Sequence, residues 1–120
     1  MAALTEESLI KIRRHLHQIP ELALKEIQTS AYLEKVIAGF DQTHLQVKKI
    51  ADLPTAIMVR IAGSAPKRTL GYRTDIDALP VTEATGLPFA SKHPGVMHAC
   101  GHDIHICLLY TSDAADDMQC

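Results

Sequence analysis

Met97-His98-Ala99-Cys100-Gly101-His102-Asp103-Ile104-His105 brings one thiol, three imidazoles and one carboxylate together within nine residues. Thiolate and imidazole ligate zinc and its first-row neighbours, and a carboxylate suits harder ions or a position bridging two metals. Gly101, having no Cβ, permits a backbone turn sharp enough for Cys100 and His102 to converge on one ion. Taken singly, a cysteine reads as a small buried hydrophobe and a histidine as a hydrogen-bonded core or surface residue. The cluster reads differently. Two ligand types and a carboxylate surround a glycine, and no Cys-x-x-Cys half is present to close a structural zinc site, so the pattern points to an open catalytic centre. A reactive thiol at Cys100, with a nearby histidine as base, is the rival chemistry.

Outward from this stretch, 120 residues suffice for one domain with a core and not for two of ordinary size. Apolar residues make up 47% and charged residues 22%, which places the chain among globular proteins and away from disorder. A net charge of -2, with no basic run longer than Lys-Lys or Arg-Arg, gives no footing for nucleic acid. No apolar stretch is long enough for a membrane span, and Met1-Ala2-Ala3-Leu4-Thr5-Glu6-Glu7 has neither the basic start nor the apolar centre of a signal peptide. Three cysteines, an odd number, fit a reducing, cytoplasmic compartment better than a disulfide framework.

Thr5 before Glu6 and Glu7 predicts a helix start. Leu9, Ile12, Leu16 and Ile19 follow at helical spacing, and Pro20 marks the end. His15 and His17 fall in this helix and read as solvated or capping residues without an assigned role. Ile27, Leu33, Val36, Ile37 and Phe40 predict a second amphipathic helix that stops near Gly39. Leu45–Ile50 and Thr55–Ile61 alternate as strands, the latter with Ile57, Val59 and Ile61 on one face. After turn residues Gly63 to Lys67, Thr69–Thr74 is a third strand candidate, ending in Asp75 and Asp77, which alternation sends to one side. Those acids read equally as a functional pair or as solvated turn residues. Glu83–Gly95, rich in Pro and Gly, predicts a loop that walls the cluster. From Cys107 to Cys120 a helix gives way to an acidic, uncapped ending, so 1–106 is expected to form the domain and 107–120 a non-native or truncated tail, with Cys107 and Cys120 outside any function.

Three motifs together resemble the two-metal amidohydrolases related to aminoacylase, hippurate hydrolase and the auxin-conjugate hydrolases. They are Arg13-Arg14-His15-Leu16-His17-Gln18-Ile19-Pro20-Glu21, Gly71-Tyr72-Arg73-Thr74-Asp75-Ile76-Asp77-Ala78-Leu79-Pro80, and Met97 to His105. The resemblance implies an α/β fold: the N-terminal part of an exopeptidase-like catalytic domain, a mixed sheet flanked by helices, without the smaller lid domain through which complete members often dimerise. It implies metal ligation by Cys100 and His102 and a catalytic carboxylate at Asp75, while Asp77, Asp103 and His105 match motif positions without a fixed role. The implied cofactor is a divalent metal (zinc, manganese, cobalt or nickel), two ions in a complete enzyme. The implied reaction is hydrolysis of an N-acyl amino acid, the nearest likeness being to deacetylases acting on acetylated diaminopimelate in lysine synthesis. Another acyl specificity, or a metal-binding fragment without catalysis, is the alternative. The family's later glutamate pair and remaining histidines have no counterpart after His105, which predicts an inactive fragment.

Overall fold

Thr5 and Ser8 cap each other's backbone: the Ser8 amide donates to Thr5 Oγ1 at 3.2 Å and the Thr5 amide to Ser8 Oγ at 2.8 Å. This reciprocal box starts α1, Glu6–Gln18, and Glu6 and Glu7 in its first turn face the positive end of the helix dipole. The computed structural model describes residues 4–65 and 67–111, so the acidic ending with Cys120 and the Pro66 turn position lie outside the described residues. Ile12 and Leu16 are buried as the spacing predicts, and so is His17, which the apolar stripe does not include. The helix closes at Ile19, before Pro20.

A carboxylate from the connector starts the second helix, α2, Ile27–Ala38. Glu21 accepts from the amides of Gln28 (3.1 Å) and Thr29 (2.7 Å) and from the Thr29 hydroxyl (2.8 Å). It thereby satisfies amides that the N-cap residue, Glu26, leaves without a side-chain partner. Glu26 turns back to bind the Leu24 amide and the Thr55 hydroxyl. Leu24 takes φ 66°, a left-handed conformation costly for a leucine and held here by that carboxylate.

Strands β1, Leu45–Ile50, and β2, Leu53–Ile61, form an antiparallel hairpin with Leu45 opposite Ile61 and Val47 opposite Val59, irregular between Lys49 and Ile50. Ile57 packs toward the core, but Val59 and Ile61 on the same face are exposed. Thr69–Thr74 does not form the predicted third strand. Among the described residues no ladder pairs it, and Leu70 and Tyr72 are 80% and 73% exposed, so alternation alone has no partner strand to satisfy its backbone.

The third described helix, α3, His102–Thr111, packs on α1. Ile12, Leu16, Leu33, Ile106 and Cys107 form the core, ringed by Leu4, Tyr32, Val36, Ile57, Ile76 and Tyr110. The expected domain boundary at residue 107 falls inside α3, and Cys107 is a core residue. Among the described residues the architecture is α/β: three helices around one core with a two-stranded sheet at its side. No helix among the described residues is long and apolar enough to cross a membrane.

Candidate metal centre

The segment carrying Asp77 is stitched to its surroundings by main-chain bonds. Ala78 donates to the Glu21 carbonyl (2.7 Å), and Leu79 and Met97 exchange two bonds of 3.0 Å as an isolated antiparallel bridge. This bridge brings Asp77 to the start of α3. The turn between Cys100 and His102 is made by Gly101 at φ 91°. A Cβ there would meet no atom within 4 Å, so the backbone conformation and not space demands glycine. The Gly101 carbonyl then accepts from Ile104 and His105, opening the helix.

His102 Nδ1 lies 2.9 Å from the Asp77 carbonyl and 3.0 Å from Asp77 Oδ1. Both partners are acceptors only, so Nδ1 carries the proton and the lone pair sits on Nε2. In that tautomer, oriented by a carboxylate, a histidine can ligate a metal through Nε2. Cys100 is exposed beside it in sequence. Asp75 is placed elsewhere. It is half-exposed, pairs with Arg73 at 2.6 Å, and lines a cleft with Tyr72, Thr74, His105 and the α3 residues Leu108 and Leu109. The His105 ring stands 5.8 Å from that of His102, so cleft and turn are neighbours. Among the described residues no three His, Cys, Asp or Glu side chains are grouped to hold an ion. Cys100 and His102 fit a metal in donor chemistry, and together they would be two of the three or more protein ligands that a catalytic site draws on.

Beneath this turn lies a buried polar network that the sequence reading left unassigned. The Asp103 side chain is fully buried, and one of its oxygens accepts from Arg13 Nε (3.0 Å) and His17 Nδ1 (2.8 Å). His17 Nε2 is 3.0 Å from Glu83 Oε1, out of line for a good hydrogen bond but close enough for an ion pair. Burial alone would raise the Glu83 carboxyl. Hydrogen bonds from the Thr85 hydroxyl and the Ser91 amide, with the His17 ring close by, outweigh it and hold Glu83 below its ordinary range. His98 is buried with no hydrogen bond at either ring nitrogen among the described residues, and burial keeps its pKa low, opposed by Asp103 and reinforced by His17 and His102. Phe89 from the wall loop takes Arg13 and Arg14 over its ring at 5.2 and 4.9 Å. The available signal was the i, i+4 spacing of Arg13 and His17 beside the apolar stripe, which puts both on one flank of α1.

The model of peptidase family M20/M25/M40 matches residues 71–115, the span from the Asp75 segment through α3. N-acetyldiaminopimelate deacetylase from Limosilactobacillus reuteri is 68% identical over 103 residues, covering 86% of this chain. The chain is thus similar to the M20 peptidase family, over residues 71–115 by the family model. It spans only 27% of the length of that relative, and 28% of the N-acetyldiaminopimelate deacetylase of Lactobacillus helveticus, to which it is 66% identical over 106 residues covering 88% of this chain. Among solved structures, a dinuclear metal binding M20 peptidase of Bacillus subtilis superposes with a TM-score of 0.79 at 38% identity, covering 87% of this chain and 28% of that one. The M20 fold therefore accounts for the chain as part of a catalytic domain, and for the two-stranded sheet and three helices being a portion of a larger architecture.

Proposed function

We propose that this chain contributes the Cys100–His102 side of a metal centre to an amidohydrolase that removes the acetyl group of N-acetyldiaminopimelate. The observation that carries the metal reading is the His102 ring, whose Nδ1 is committed to Asp77 and whose Nε2 is left to ligate. The substrate rests on the 68% identical deacetylase.

Cys100 as thiolate and His102 through Nε2 would hold one divalent ion, zinc, manganese, cobalt or nickel, with a second ion held by residues outside this chain. When bound, such an ion polarises the amide carbonyl and lowers the pKa of a water near it. Asp77 orients His102. Asp75, in the neighbouring cleft with His105, is the carboxylate proposed to receive or steady the water's proton as the hydroxyl oxygen bonds to the carbonyl carbon. Cleavage of the C–N bond sends that electron pair to nitrogen, which takes up a proton, leaving acetate and the free amine of diaminopimelate. The same reading includes a cytoplasmic enzyme, supported by free thiols at Cys100 and Cys107, and dimerisation of the complete enzyme through a lid domain.

The test is a chimera in which the aligned 103 residues of the Limosilactobacillus reuteri deacetylase are replaced by those of this chain. It is expected to release acetate from N-acetyldiaminopimelate, to lose activity on chelation and to regain it with metal. A chimera that is folded and metal-loaded but hydrolyses hippurate in preference would overturn the substrate. A second reading, a metal-binding segment without turnover of its own, is favoured for the isolated chain because no three donors are grouped among the described residues.

A further inference from the structure

We propose that Arg13 and His17 of α1 are positioning residues for His102, acting through Asp103. This rests on the reading of His102 as a metal ligand. The first turn of α3 is held from two sides. On one, Asp77 takes His102 Nδ1; on the other, Arg13 and His17 take the carboxylate of the very next residue, Asp103. The Asp103 side chain has no exposure to water, and its hydrogen-bond donors among the described residues are those two and the local amide of Ile104. A buried carboxylate deprived of a partner moves toward solvent or another donor. Successive residues on a helix are rigidly coupled through the backbone, so such a move turns His102 away from Asp77. Gly101 immediately before it has no Cβ and no neighbour crowding that position, so it adds little steric resistance to such a turn.

The grip extends behind α1. His17 is clasped on its far side by Glu83, and Glu83 is itself fixed by Thr85 and Ser91, so the loop that walls the site locks the histidine that locks the helix. His98, buried beside His17 with ring centroids 6.4 Å apart, lies within electrostatic reach of Asp103, His102 and Asp77. The chain thus spends an arginine and a histidine of its first helix on a residue adjacent to a ligand, an arrangement that packing alone does not require.

Side-chain substitutions separate positioning from general loosening. In His17→Asn the amide nitrogen occupies the place of Nδ1 and keeps the bond to Asp103; in His17→Leu the volume stays and the donor goes. Thr5→Ala weakens α1 at its cap without touching the network. Two readouts are taken. One is the 15N shifts of the His102 ring in the full chain without metal, and the other is zinc affinity of the chimera by chelator competition. Wild type is expected to give a pure Nδ1-protonated signature, His17→Leu an averaged one with roughly 10- to 100-fold weaker zinc binding, the usual cost of losing a group that orients a ligand. His17→Asn is expected within about threefold of wild type, a change worth under one kcal/mol, and Thr5→Ala likewise. Unchanged His102 shifts and affinity in His17→Leu overturn the proposal, as does an equal loss in Thr5→Ala or in His17→Asn. Where the isolated chain yields no dispersed spectrum, the chimera decides on affinity and on its own ring shifts. A chimera that binds no zinc but whose His102 ring responds to His17→Leu refutes the metal reading and leaves the positioning intact.

Discussion

At φ 91° Gly101 sits where an L side chain is strained even with open space around it. Gly101→Ala is therefore expected to cost about 1–2 kcal/mol in urea unfolding of the chimera, and to weaken zinc binding because the turn sets Cys100 against His102. Equal affinity in a Gly101→Ala chimera would show that the turn does not organise the ligands. The two described cysteines should behave oppositely. Cys107 is buried in the core and its thiol is pushed up to about 11, chiefly by burial, with the Asp103 charge adding and Arg13 opposing. Cys100 is exposed. Iodoacetamide at neutral pH, read by peptide mass spectrometry, should modify Cys100 and spare Cys107, and zinc should protect Cys100; early labelling of Cys107 would contradict the core assignment. Glu83 gives a pH test. Its folded pKa lies below its ordinary 4.5, so the unfolded chain binds more protons as pH falls through that range. Its stabilisation is present above that value and is lost as pH drops through the lower folded one. The Tm difference between wild type and Glu83→Gln should accordingly shrink in acid; a difference that grows would refute the ion pair. At this scale the Gly101 turn between Cys100 and His102 was legible from spacing. His17 and Glu83 were not, because their 66-residue separation in sequence is closed only by the folding of the wall loop onto α1.

The helices follow from their sequences and the sheet follows only in part. Thr5 and the Leu9, Ile12, Leu16 stripe suffice for α1, since capping and burial are both local properties. The second helix keeps its predicted place, but its start depends on Glu21 reaching Gln28 and Thr29, a cap carried by the preceding connector. Glu21→Ala should cost about 1–2 kcal/mol in urea unfolding, the usual worth of a lost helix cap. Loss of no more than a few tenths would show that water caps α2 equally well. Thr69–Thr74 has the alternation of a strand and lies unpaired, because a strand is a property of a pair and its partners are not among the described residues. Asp75 and Asp77, sent to one side by alternation, therefore part company: one faces the His105 cleft and the other binds His102. Asp77→Asn should weaken zinc affinity, whereas Asp75→Asn should leave affinity and lower kcat by orders of magnitude. Wild-type kcat in Asp75→Asn would remove Asp75 from the reaction.

The molecule as a whole is more open than its length warrants. Its radius of gyration is 15.3 Å, where a compact domain of this length would have roughly 13–14 Å. Val47, Met58, Val59, Ile61, Leu70 and Tyr72 are exposed, and among the described residues no further strand pairs with the hairpin. Such surface is a template for association, so the isolated chain should self-associate in sedimentation where the chimera stays monodisperse. A monomeric chain with acetate-releasing activity would contradict the reading of it as one part of a site. Family and fold class could be read at this scale because three motifs in order carry them. The rest of the proposed ligand set could not, since donors distant in sequence leave no trace in the segment proposed to hold Cys100 and His102 against a metal. The central claim is that Cys100 and His102 hold one metal ion together, and cobalt loading of the chimera tests it most directly. The account predicts a thiolate-to-cobalt charge-transfer band in wild type, abolished in Cys100→Ser with a large loss of affinity and weakened in His102→Ala. An undiminished band and full cobalt occupancy in Cys100→Ser would contradict it.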